Sequence, residues 1–102
     1  MKYGMQLLDE YFRKMKSGEK RIEFRLYDEK RRKIRIGDSI EFSNLSTNEK
    51  MEARVVGLLI YKDFSTMFSD LGMVDDGTMD ELYDPLAQRK FGVMGIRVEV
   101  ME

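Results

Sequence analysis

A chain of 102 residues with 42% hydrophobic residues suits one core, and the expected organisation is a single domain over residues 1–102. It has no cysteine and no histidine, which excludes disulfides, thiolate metal sites, a cysteine nucleophile, a Ser-His-Asp triad and a His-ligated zinc. The net charge of −1 hides a segregated distribution: residues 13–35 hold eleven basic against four acidic groups, whereas residues 63–84 hold seven acidic groups and no base. Such a split either steers an anionic ligand to one side or neutralises itself by bringing the segments together. No apolar run approaches the about 20 residues that span a bilayer, and the N-terminus lacks the apolar core of a secretory signal. No membrane partner is expected, and a cytoplasmic location is the default expectation.

Leu7, Leu8, Tyr11, Phe12 and Met15 recur at helical spacing. Asp9 and Glu10 lie early and Arg13, Lys14 and Lys16 late, which suits the helix dipole, and Gly18 sits where a left-handed C-terminal cap belongs. Residues 20–27 then alternate as a half-buried strand, with Ile22, Phe24 and Leu26 on one face and Arg21, Glu23 and Arg25 on the other. Lys20 has the parity of the apolar face. To share a site with Glu23 it must occupy the turn leading into the strand, and the break at Gly18 allows that.

Asp28 to Lys33 contains no apolar residue and reads as a turn, with one helical turn capped by Asp28. Gly37-Asp38 is a turn, residues 39–43 a second strand, and Asn44 to Asn48 a hairpin-type loop. Residues 50–61 form a longer strand, with Gly57 marking a bend. Asp63 is placed to cap a short helix carrying Phe64, Met67, Phe68 and Leu71, closed by Gly72. Thr78 with Glu81 has the capping-box pattern, and Asp84-Pro85 offers another helix start. Phe91 to Val100 closes the chain as a strand, with Gly92 and Gly95 marking close approach or bending. The expected class is α+β: a small β-barrel, or curled mixed sheet, with flanking short helices.

The stretch from Gly18 to Arg25 carries the densest chemistry. Read from the residues alone it is either a solvated charged edge or a ligand-binding rim. Gly18-x-Lys20-x-x-Glu23-x-Arg25 resembles the GxKxxExR signature of the ASCH-domain family, a branch of the PUA-like superfold. Leu26 to Arg32, Ile36-Gly37-Asp38 and Phe91 to Ile96 resemble the continuation seen in small members, so the likeness spans nearly the whole chain. The resemblance implies a small PUA-like barrel whose cleft is lined by Lys20, Glu23 and Arg25, and an RNA or nucleotide-like small molecule as partner. Lys20 suits phosphate, Arg25 can grip phosphate or a base edge, and an ionised Glu23 accepts from an amino or hydroxyl group.

Some compact relatives are amidohydrolases that deacetylate acetylcytidine. The resemblance to them makes Lys20 and Glu23 the candidate catalytic residues, with Glu23 standing where those relatives carry Thr, and Asp63 a candidate acidic partner. Arg21, Lys30 and Arg31, with Arg32 and Lys33, are read either as a phosphate track or as solvated charge. Tyr27 and Tyr61 end strands, where each can stack on a base or pack with its hydroxyl wet. The nine methionines read as core filler, and the acidic stretch from Asp70 to Asp84 lacks calcium-loop spacing. No metal and no cofactor are expected, and a monomer is the expected state.

Overall fold

The computed structural model describes residues 1–101. Five strands form one mixed sheet in the order β1-β3-β4-β5-β2, where β1 is Lys2–Leu7, β2 Ile22–Leu26, β3 Ser39–Asn44, β4 Lys50–Tyr61 and β5 Val93–Val100. Four short helices accompany it: α1 (Asp9–Ser17), α2 (Phe64–Leu71), α3 (Thr78–Leu82) and α4 (Pro85–Phe91). The α+β class, the mixed sheet and the short helices are as the sequence predicts. The chain packs as two compact units, and β2, β4 and β5 each run from one into the other.

The first unit holds Met1–Glu23, Ile34–Leu58 and the chain from Ile96 onward. Strand β1 lies parallel to β3 with Met5 opposite Phe42, and β3 lies antiparallel to β4 with Phe42 opposite Met51. The helix pattern does not begin at Leu7, as the spacing suggests: Leu7 ends β1, buried, while Leu8 is exposed and α1 starts at Asp9. No side chain caps that start. Asn44, itself buried, fastens it to the sheet by donating its amide to Asp9 at 2.9 Å. That bond, with the Arg13 guanidinium, holds the Asp9 carboxyl below its ordinary pKa. Phe12 and Met15 deliver the apolar face of α1 to the interior, and Gly18 ends the helix at φ 88°, a left-handed conformation that glycine adopts without strain.

The second unit holds Phe24–Lys33 and Leu59–Gly95. Its core is Phe64, Met67, Phe68 and Val93, with Phe24 and Tyr83 packed around them. Phe24 meets Phe68 edge to face with centroids 5.2 Å apart. Asp63 and Asp84 cap α2 and α4 through the N–H groups of Thr66 and Leu86, each at 2.7 Å. The capping box at Thr78 does not form: Gly77 precedes the helix, Thr78 is its first residue, and Asp76 accepts the Thr78 N–H instead. Phe91 belongs to α4 rather than to the closing strand, because Gly92 turns the chain at φ 76°. A Cβ at Gly92 would stand 3.1 Å from the Tyr61 carbonyl oxygen, so the close approach expected there is real.

Gln88 ties this unit together. Its side chain is buried, accepts the Phe64 N–H at 3.1 Å, and donates to Asp80 at 2.8 Å and to the Tyr83 carbonyl at 3.0 Å. Gln88→Leu keeps the volume and leaves the Phe64 N–H and the Tyr83 carbonyl without that partner. It is expected to cost about 2–4 kcal/mol, lowering the thermal midpoint by roughly 10 °C or more. An unchanged midpoint in a melting experiment would contradict this role.

Candidate functional site

The site begins at the left-handed turn of Gly18. Its N–H bonds back to the Met15 carbonyl at 3.1 Å, and two residues on the Lys20 N–H bonds to the Lys14 carbonyl at 2.9 Å. These bonds double the chain back over the end of α1 and place Lys20 in the turn before β2, as the parity argument requires. The Lys20 ammonium donates to the Ile22 carbonyl, lies 3.5 Å from a Glu23 carboxylate oxygen and sits 5.8 Å from the centre of the Tyr11 ring. The pair is well shielded, with the Lys20 side chain 15% and the Glu23 side chain 7% exposed.

The burial of Glu23 was not legible from alternation. On β2 Glu23 of the charged face is buried, while Arg25 on that face and Ile22, Phe24 and Leu26 on the apolar face are half-buried. Among the described residues Glu23 is the one buried charged side chain. Lys20 and Glu23 are therefore not part of a solvated edge, whereas the neighbouring Glu19 and Arg21 are exposed. A carboxylate removed from water requires a counter-charge and hydrogen bonds, and Lys20 supplies the nearest ammonium.

The other candidates fall in varied settings. Arg21 is exposed and spends its Nε on the Gly18 carbonyl at 3.2 Å. Arg25, in the second unit, is half-buried, with its Nε shut off from water. Arg31 donates to Asp28 at 2.7 Å, and Asp28 also caps the single 3-10 turn at Arg31–Lys33. Arg32 bonds the carbonyls of Tyr27 at 2.9 Å and Phe91 at 3.2 Å, and its guanidinium lies 4.7 Å above the Tyr27 ring centre. Those two arginines hold the turn in place, and Lys30 and Lys33 are left exposed. The Tyr61 hydroxyl donates to Asp70, whose carboxylate raises the Tyr61 pKa.

Sequence reasoning missed a groove of about 840 Å³ in the first unit. Lys20 and Arg21 line it together with Lys16, Lys50 and Arg54. Three separate elements contribute these residues, so no local motif announces them. Among the described residues no group of three or more His, Cys, Asp or Glu side chains could hold a metal ion. Nor is any helix there long and apolar enough to cross a membrane.

The family model of the ASCH domain matches residues 5–102, and the chain belongs to that family. The crystal structure of hypothetical protein PH0355 is 34% identical, covers 99% of this chain and 100% of its own, and superposes with a TM-score of 0.86. The solution structure of protein PF0455 from Pyrococcus furiosus is 32% identical, covers 100% of this chain and 99% of its own, and gives 0.77. The crystal structure of ASCH from Zymomonas mobilis is 15% identical, covers 94% of this chain and 65% of its own, and gives 0.67. At that identity it shows the PUA-like fold alone. None of the curated proteins matches the sequence. The family's character is RNA-binding-like.

Asp63, the candidate acidic partner, serves as the cap of α2. Hydrogen bonds from the Thr66 side chain and N–H hold its carboxyl below the ordinary value of 3.8. A depressed folded-state pKa means that the charge stabilises the fold above the unfolded-state value, and that this is lost as pH falls through the folded one. Asp63→Ala is expected to cost about 1 kcal/mol near neutral pH and to converge with wild type in strong acid. Urea unfolding at the two pH values checks this. Equal stabilities at neutral pH would contradict the capping role.

Proposed function

We propose that this chain binds RNA or a nucleotide-like ligand through Lys20, Glu23 and Arg25. The observation that carries the reading is the shielded Lys20–Glu23 pair, 3.5 Å apart, with Lys20 in the turn before β2 and Glu23 on β2 between the apolar Ile22 and Phe24. Ion pairs in such places contribute little net stability compared with apolar residues of the same size, so stability alone does not account for this one. An ammonium and a carboxylate side by side offer a phosphate a donor and a base or ribose an acceptor. Arg25, two residues along β2, adds the planar fork that completes the family signature.

A second reading, hydrolysis of an acylated nucleoside, rests on the same pair. There the Glu23 carboxylate takes a proton from water as it attacks the acyl carbon, and the Lys20 ammonium neutralises the charge on the carbonyl oxygen. Glu23 then returns the proton to the departing nucleoside nitrogen as its bond to the acyl carbon breaks. Glu23 replaces the hydroxyl of the amidohydrolase relatives, which places this reading behind the first.

Titrating wild type and Lys20→Ala with nucleosides, nucleotides and short RNA separates the two. Binding predicts that Lys20→Ala weakens phosphate-bearing ligands by about tenfold or more and makes the salt dependence shallower by about one phosphate contact. Turnover of an acetylated nucleoside that disappears in Lys20→Ala favours the hydrolase. Identical profiles for the two proteins would sink both.

A further inference from the structure

We propose that the groove beside Lys20 carries the sugar-phosphate chain of a single-stranded RNA, so that the ligand is an oligonucleotide rather than a free nucleotide. This extends, and rests on, the reading of Lys20 and Glu23 above. The groove lies wholly within the first unit, bounded by the last turn of α1, the first half of β4 and the end of β5. Its volume of about 840 Å³ lies near the top of the range for small-ligand pockets, about 300–1,000 Å³.

Charge identifies the occupant. Five cations line the groove against two carboxylates, Glu52 and Glu99, in a protein whose net charge is −1. Among the described residues two of the cations are held only by solvent-accessible pairs, Lys16 with Glu49 and Lys50 with the half-buried Glu41 at 3.5 Å. Pairs of that kind contribute little and exchange readily for a stronger anion. The Arg21 side chain engages only its Nε among the described residues, which leaves both terminal nitrogens for an incoming group. The Arg54 side chain makes no hydrogen bond and no ion pair among the described residues. It is held opposite Ser39 in the β3–β4 ladder, so its backbone position is fixed.

Two arginine forks and three ammonium groups along one channel match a run of phosphates, each of which accepts a bidentate guanidinium. No aromatic residue lines the groove. Base stacking therefore adds little there, and the grip falls on the backbone with little sequence preference. Lys20 lines the groove and also touches Glu23, which puts the phosphate track and the base- or ribose-reading pair on one continuous path.

Fluorescence anisotropy with a labelled RNA octamer and with a labelled mononucleotide tests the proposal on wild type, Arg54→Ala, Arg21→Ala and Lys20→Ala. Both arginines are exposed, and thermal melts confirm that each variant folds. The expected result is a loss of about tenfold in octamer affinity for Arg54→Ala and for Arg21→Ala. The salt slope should become shallower by about 0.7 per lost phosphate contact, with mononucleotide affinity unchanged. Octamer affinity that survives both arginine changes overturns the groove, and if Lys20→Ala still weakens binding the reading of the pair stands. Loss in the arginine variants with none in Lys20→Ala supports the groove and overturns the pair. A hexaglutamate peptide that displaces the octamer in an Arg54-dependent manner, and binds more tightly than it, makes the occupant an acidic peptide and overturns the proposal. So does a wild type that binds no octamer.

Discussion

A carboxylate that the fold removes from water governs the local architecture of this protein. Glu23 is 5% exposed on a strand flanked by apolar residues, and an ionised group there is tolerable only with a cation close at hand. Lys20 can be that cation because Gly18 accepts a left-handed turn at the end of α1. A residue with a Cβ at that position adopts the left-handed conformation only at a cost, which works against the backward turn that brings the ammonium to Glu23. Cap, turn, ammonium and carboxylate thus form one causal chain running through six consecutive residues.

Much of the remaining fold follows from equally local rules. The aspartates before α2 and α4, the proline opening α4 and the glycines closing α1 and α2 all act as their types predict. The long strand from Lys50 to Tyr61 was legible because twelve residues of alternation and apolar content leave few alternatives. Strand β1 was not expected from the sequence. Tyr3, Met5 and Leu7 do alternate, but Leu7 and Leu8 also fit the helix stripe that follows, and the longer pattern drew them in. Only pairing with β3, more than thirty residues away, decides for the strand. At Thr78 the capping box lost to Asp76 and Gly77, whose turn starts the helix one residue earlier.

The site divides along the same line. Its signature residues are contiguous, and their spacing was visible at once. Their burial was not, since alternation assigns a face to Glu23 but cannot say that both faces of β2 are covered. The groove was invisible for a related reason: Lys16, Lys50 and Arg54 are ordinary surface charges in sequence, and only the packing of α1 near β4 and β5 makes them neighbours. The basic turn at residues 30–33 is the converse case. It reads as a phosphate track, yet two of its four cations close bonds within the unit itself.

The central claim is that the Lys20–Glu23 pair is kept for a ligand rather than for the fold. Replacing both members at once, Lys20→Met with Glu23→Leu, tests it most directly, because the buried carboxylate and its neighbouring ammonium are removed together. The account predicts a double variant that melts at or above the wild-type temperature and no longer binds RNA or nucleotide. A double variant that melts many degrees lower while its ligand affinity is intact would contradict it.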